Sequence, residues 1–283
     1  GCGEDACPVL PGKRYLDCCN NVPHVGNGHP YVVAAIARQA ARLNTNTRDI
    51  TDQSLDYAER LTATMDKSFF VVIFVNSGSE ANDVAWRMAK AWTGKRGGLA
   101  MDFAYHGITE AIDAFSPSNA PEIWNAPHIR LLPPPDDYRG AYLRGGNDLA
   151  DRYADFADAP IAELEREGYG LAATMIDGAF MTNGMLDVPE GYVKRIVQKT
   201  HAAGGLYIAD EVQSGFGRMG TAMWGHQHHG IVPDFVTIGK PAGNGHPVGA
   251  VVTIFLGTLA PKMPCSNSAN SRRMSLAVNA GMS

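Results

Sequence analysis

Apolar residues along the chain fall into two kinds of run. The first kind is short and unbroken. Residues 69–75 read FFVVIFV, and 99–103, 171–176, 206–209 and 235–238 have the same character. Such runs predict strands buried on both faces. The second kind recurs at helical spacing. Ala81, Val84, Ala85, Met88 and Trp92 mark one face of a helix over 80–92, and 191–203 predicts another, stopped by Gly204-Gly205. Ahead of these, 29–43 and 53–65 predict two amphipathic helices. Pro30 suits the first turn of one, and Asp49 or Thr51 would cap the other. Residues 132–137 (LPPPDD) predict an extended connector.

Unbroken strands alternating with helices predict an α/β fold: a three-layer, mostly parallel sheet with helices on both faces. Ligands of such sheets sit beyond the carboxyl ends of the strands. The residues that follow the strands are therefore the ones to search for function. They are Ser77-Gly78-Ser79, Tyr105-His106, Asp177, Asp210 to Gln213, and Lys240.

Composition narrows the classes. Of 283 residues, 45% are apolar and 19% charged, enough to bury a core. The net charge of −5 lacks the basic excess that a nucleic-acid or anionic membrane surface needs. No apolar run approaches the ~18 residues of a membrane span, and the first residues do not read as a secretion signal. The cysteines, Cys2, Cys7, Cys18, Cys19 and Cys265, are odd in number and contain no CxxC. Reduced thiols in a cytoplasmic protein are expected. The pentapeptide GNGHP occurs at 26–30 and again at 243–247, and is read as loop chemistry.

Lys240 directly follows the apolar strand ending in Gly239. An amine at the mouth of a buried sheet loses solvation, which favours its neutral, nucleophilic form and Schiff-base chemistry with carbonyls. Asp210 ends the strand LYIAD. It is either a helix cap or the partner of a protonated ring nitrogen. Glu211 beside it points to the other face, which argues against a glycosidase-like carboxylate pair. Ser77, Gly78 and Ser79 open a helix, where backbone N–H groups suit a phosphate, and the Ser77/Glu80 spacing fits a capping box. Tyr105 is either a stacking wall for a planar ligand or a core tyrosine. His226, His228 and His229 are read as an exposed loop and not as a metal site. Val25 to Gly28 does not complete a dinucleotide fingerprint, and neither GxxxxGK[ST] nor GxSxG occurs.

Four motifs occur in order: Asn76-Ser77-Gly78-Ser79-Glu80-Ala81-Asn82, Tyr105-His106-Gly107, Ala209-Asp210-Glu211-Val212-Gln213-Ser214-Gly215-Phe216-Gly217-Arg218, and Thr237-Ile238-Gly239-Lys240-Pro241. Together they resemble the class III pyridoxal-phosphate-dependent aminotransferases of fold type I. The flanks YLDCCNNVPHVGNGHP and RLNTNTR are similar to the branch that holds alanine–glyoxylate aminotransferase 2-like proteins and ethanolamine-phosphate phospho-lyases.

The resemblance implies pyridoxal 5'-phosphate as cofactor. Lys240 would be the Schiff-base lysine and proton shuttle, Asp210 the partner of the pyridine nitrogen, and Gln213 the contact to the ring 3-hydroxyl. Val212 and Tyr105 would cover the two ring faces, with His106 beside them. Gly78 and Ser79, with Ser77, would hold the phosphate. A transaminase working on an amino donor and a keto acceptor, as a homodimer, is the implied function. A phospho-lyase on a phosphorylated amine, or an inactive remnant, are the alternatives. The resemblance also divides the chain: 1–50 as an N-terminal segment that belongs to the small domain in the family, 51–253 as an incomplete cofactor-binding large domain, and 254–283 as an atypical tail. Nothing after Thr253 matches the family, and no acidic residue follows Asp234. A truncated or frameshifted product, with most of the small domain missing, is the expectation.

Overall fold

The structure, a computed structural model, describes residues 23–43 and 51–255. The five cysteines, Asp49 and all but the first two residues of the expected 254–283 tail lie outside the described residues. Helices α1 (Pro30–Arg42) and α2 (Asp52–Thr62) come first. Strand β1 (Val71–Val75), helix α3 (Gly78–Thr93) and strand β2 (Gly97–Met101) follow, then α4 (Glu110–Asp113) and β3 (Ile129–Leu132). Helices α5 (Leu149–Ala154) and α6 (Asp158–Arg166) lead to β4 (Leu171–Asp177), α7 (Tyr192–Ala202) and β5 (Leu206–Asp210). The described chain closes with α8 (Glu211–Ser214), α9 (Gly225–His228), β6 (Phe235–Ile238) and β7 (Gly249–Thr253).

The strands form one sheet in the order β1-β7-β6-β5-β4-β2-β3. Strand β7 runs antiparallel to β1 and β6, and all other pairings are parallel. The expected α/β class and mostly parallel sheet are thus what the chain adopts. With β1 near one edge and β2 near the other, α3 crosses the sheet between them. The carboxyl ends of β1, β2, β4, β5 and β6 all open on one edge.

Side chains alternate between the faces with the period of two that a strand imposes. Val71, Ile73, Ala100, Met175, Ile208, Phe235 and Val251 pack with α3 residues Ala81, Ala85, Trp86 and Met88. Leu99, Met101, Ile176, Tyr207 and Ala209 turn the other way, toward Tyr153, Leu164, Tyr192 and Ile196 of α5, α6 and α7. Val72, Val236, Ile238, Ala250 and Val252 pack with Ala58 and Leu61 of α2 and with Trp224. Both faces are covered, which is why the strands are apolar throughout.

Helix α2 is capped by Thr51, whose Oγ1 accepts from the Ser54 N–H at 3.3 Å. Both GNGHP segments form turns with left-handed residues, at Gly26 and Gly28 and at Asn244 and Gly245, in keeping with loop chemistry. Strands β3 and β7 and helices α5 and α6 escape the hydrophobic pattern. Strand β3 lies at the sheet edge and carries Arg130, which bonds Glu163 of α6 at 3.0 Å and Glu167 at 2.5 Å. The two helices are too short for a period to register.

Candidate active site

The opening at the strand ends is a cavity of about 360 Å³. Its lining includes every expected site residue: Ser77, Gly78, Ser79, Tyr105, His106, Asp210, Val212, Gln213 and Lys240. Asp177, Asn76, His246, Pro247 and Val248 complete the wall, with Gly245. A larger cavity of about 760 Å³ adjoins it, sharing Asn76, His246, Pro247 and Val248 and reaching Tyr57 and Arg87.

Asp210 ends β5 and is buried. Its Oδ1 accepts from the Val212 N–H at 3.0 Å, which starts α8. Its Oδ2 accepts from Asn82 Nδ2 at 2.9 Å and lies 2.7 Å from His106 Nδ1. A carboxylate only accepts, so with Asp210 ionised the imidazole proton sits on Nδ1. His106 Nε2 is then buried without a partner. Asn82 also donates to the His106 carbonyl at 2.7 Å, and its Oδ1 accepts from the Thr237 hydroxyl at 2.6 Å. One amide thereby joins α3, the loop after β2, β5 and β6. A buried polar network of this kind is stabilising when each member is satisfied. The roles of Asn82 and Thr237 are not legible in the sequence. The signal in the sequence is an asparagine standing beside Ala81 and three positions before Ala85, on the apolar side of the helix.

Asp210 thus caps α8, the first of its two readings, and it lines the cavity. Glu211, the first residue of α8, is outside the cavity lining, so no carboxylate pair forms with Asp210 there. It is buried and accepts four bonds: from Ser214 Oγ at 2.6 Å, Gly225 N at 2.8 Å, His226 N at 2.7 Å and His226 Nδ1 at 2.9 Å. Burial works against its ionisation, yet the bonds and charge of His226, with Ser214, hold its pKa below the ordinary glutamate range. This corrects the loop reading of the histidines. His226 is buried in α9 as the partner of Glu211, while His228 is exposed and His229 half-buried. Among the described residues no cluster of His, Cys, Asp and Glu is arranged to hold a metal ion.

Asp177 ends β4 next to Asp210 and accepts the N–H groups of Ala179 and Met181, both at 3.0 Å. Burial, and then the charge of Asp210, push its pKa up to about 6.

The Ser77 segment forms the expected cap with one change. Ser77 Oγ accepts from the Glu80 N–H at 3.1 Å, but the returning Glu80 carboxylate bonds the Asn76 N–H at 2.6 Å. Ser79 Oγ is engaged too, accepting from the Ile108 N–H at 3.2 Å. The N–H groups of Gly78 and Ser79 stand at the first helical positions, where α3 offers no acceptor. Glycine is required at 78 by space, because a Cβ there would lie 2.7 Å from Val212 Cγ2. Gly107, with φ of 145°, is crowded by Ser79 in the same way: a Cβ there would lie 2.6 Å from the Ser79 hydroxyl oxygen. Tyr105 is a wall residue with 40% of its surface open, so the core reading does not hold. Gln213 aims a buried Oε1 that has no protein partner.

Lys240 follows β6 and begins a short 3₁₀ turn, Lys240–Gly243. Its φ is +31°, a left-handed value unusual for a residue with a side chain. Such backbone costs of order 1–3 kcal/mol and clusters at functional sites.

Comparison with known proteins points the same way. The sequence model of one family, described as Aminotransferase class-III, matches residues 9–254. An alanine–glyoxylate aminotransferase 2-like protein of Drosophila melanogaster is 42% identical over 249 residues, which is 86% of this chain and 50% of that protein. Ethanolamine-phosphate phospho-lyase homolog 1 of Caenorhabditis elegans is 36% identical over 255 residues, 85% of this chain and 54% of that one. Among solved structures, a phospholyase from Arthrobacter in complex with phosphoethanolamine superposes with a TM-score of 0.78 at 41% identity, covering 84% of this chain and 56% of that one. Taurine:2-oxoglutarate aminotransferase from Bifidobacterium kashiwanohense, in complex with PLP and glutamate, gives 0.74 at 29% identity, covering 86% and 56%. The chain spans about half the length of the curated relatives it matches.

Proposed function

The chain belongs to the class III aminotransferase family, and from that premise we propose that it binds pyridoxal 5'-phosphate and transfers an amino group from an amino acid or amine to a keto acid. The observation that carries this reading is the cavity that brings Lys240, Asp210 and the start of α3 together. Its lining fits a flat, phosphorylated ring. Gln213 Oε1 is a buried acceptor in need of a donor, which the ring hydroxyl would provide. Two backbone N–H groups at the start of a long helix suit the phosphate. Gly78 and Val212 pack so closely that a side chain at 78 would displace the Val212 wall.

When bound, the cofactor supplies an aldehyde that condenses with amines and an electron-withdrawing ring that stabilises a neighbouring carbanion. Asp210 would hold the proton on the ring nitrogen, and Asn82, His106 and the Val212 N–H keep that carboxylate in place. Val212 and Tyr105 are the ring's walls. Lys240 would hold the cofactor through its amine and, once the amino donor has displaced it, would take the proton from the donor α-carbon and deliver it to the cofactor carbon that began as the aldehyde.

Titration of the purified chain with pyridoxal phosphate is the test. A visible absorbance band that wild type develops and Lys240→Ala lacks is expected, with activity of the variant down about 10²–10⁴-fold. Identical spectra for the two would end this reading. A phospho-lyase reaction is the second reading, supported by the 41% identity to the phospholyase and the 36% identity to the phospho-lyase homolog. Phosphate release from phosphoethanolamine without any keto acid selects it. We also propose that a second copy of the chain packs beside the site. Ile108, near Tyr105, is 74% exposed, and α1 leaves Tyr31, Val33 and Ile36 in solvent. A monomer in sedimentation would remove that part.

A further inference from the structure

We infer that Tyr57 is a positioning residue for Lys240, bracing from outside the cavity the turn on which the amine sits. The inference rests on the reading of Lys240 as the cofactor amine.

The run from Gly239 to His246 is a string of tight turns. The Ala242 N–H bonds the Gly239 carbonyl at 2.8 Å, Asn244 N–H the Pro241 carbonyl at 3.0 Å, and His246 N–H the Gly243 carbonyl at 3.0 Å. Two residues with side chains, Lys240 at +31° and Asn244 at +45°, hold left-handed backbone within this run. Left-handed backbone persists only where its surroundings over-determine it. Local bonding is limited here, because Pro241 has no N–H to give.

Tyr57 supplies an outside brace. Its hydroxyl donates to the Ala242 carbonyl at 2.9 Å, two residues beyond Lys240 and 185 positions away in the chain. Its ring stacks on Phe74 of β1, with centroids 5.5 Å apart and planes 17° from parallel. Phe74 precedes the Ser77–Gly78 turn by a few residues. Helix α2, which carries Tyr57, is fixed in the core by Ala58 and Leu61. The side chain therefore runs as a strut from the sheet to the lysine turn. Burial pushes its phenol up to about 12, so the hydroxyl stays a donor across the neutral range. Tyr57 lines the adjoining cavity and not the one that holds Lys240 and Asp210, so its action passes through the Ala242 backbone.

Tyr57→Phe removes the hydroxyl and keeps the stacking ring. Thr51→Ala removes the α2 cap and leaves the turn bond, so it reports damage to the helix alone. In full-length protein, pyridoxal phosphate titration followed by the visible band should give Tyr57→Phe a half-saturating concentration raised roughly tenfold. Thr51→Ala should titrate as wild type with an equal or larger loss of Tm. Tyr57→Phe titrating as wild type, or Thr51→Ala shifting as far, overturns the inference. A wild-type band that Lys240→Ala fails to remove sinks the underlying reading instead. The backbone then decides. Crystal structures of wild type and Tyr57→Phe in which Lys240 leaves the left-handed region only in the variant uphold the brace, and an unchanged φ refutes it.

Discussion

The acid end and the amine end of the cavity are built on opposite plans. Asp210 closes a strand in mid-sheet, is buried, and is held by a backbone N–H, an amide and an imidazole. Lys240 stands on a turn with left-handed backbone, steadied by bonds to its neighbours and by a tyrosine from another part of the chain. The contrast suits the work proposed for each group. A carboxylate that holds one charge against a ring gains from being immobile, because a preorganised dipole costs no reorganisation during reaction. An amine that carries a proton between atoms needs reach, which a long flexible side chain on a turn supplies.

If the acid end is rigid because Asn82 knits it together, removing that amide should cost more than any other change considered below. Asn82→Ala leaves the Asp210 Oδ2, the His106 carbonyl and the Thr237 hydroxyl each short of a buried partner. Each such loss costs about 1–3 kcal/mol, and because Oδ2 keeps His106 and the Thr237 hydroxyl keeps the Ala209 carbonyl the total falls at the lower end, about 3–5 kcal/mol. Urea denaturation measures it, and a loss under about 1 kcal/mol would show that water or relaxation repairs the network.

Asp177 tests whether the acid end tolerates a second carboxylate. Its pKa stands at about 6 against an ordinary 3.8, because burial and Asp210 disfavour its charge. The fold therefore favours the protonated form. Its stabilising contribution is full below about pH 4 and is lost as pH rises through about 6. Asp177→Asn cannot ionise and escapes that loss. Relative to wild type, the variant should gain on the order of 2 kcal/mol between about pH 4 and pH 7. A stability difference between the two proteins that stays flat over that range contradicts the assignment.

The same division governs what could be read from sequence. Strands β1, β2, β4, β5 and β6 and helix α3 announce themselves because burial on both sheet faces leaves unbroken apolar runs. Their ends then point to Asp210, Lys240 and the Ser77 turn without further help. Strand β7 hides behind GNGHPVG, and edge strand β3 hides its pattern behind Arg130. The contacts that set the site in place are also hidden, because Asn82, Thr237 and Tyr57 act through partners 128, 155 and 185 positions away. No local pattern encodes those distances. The role of His226 is hidden for the same reason. Two neighbouring histidines suggest a solvated loop, and only the fold supplies the buried Glu211 that pairs with it.

The smallest effect separates the two plans most cleanly, since it compares one swap at both ends. At Lys240 the backbone has φ of +31°, where a Cβ is crowded and glycine is not. Lys240→Gly and Lys240→Ala both lack the amine, so their difference isolates the backbone. Glycine should be the more stable by about 1 kcal/mol, even after its greater freedom in the unfolded chain is counted against it. At Asn82, inside α3, both substitutions lose the same amide. There alanine should lead glycine by about 1 kcal/mol, the ordinary helical preference. Opposite signs at the two positions, read from paired denaturation curves, place the strain on the amine side. Alanine leading at both would mean that Lys240 relaxes in solution to right-handed backbone, and the contrast between a rigid acid and a strained amine would fall with it.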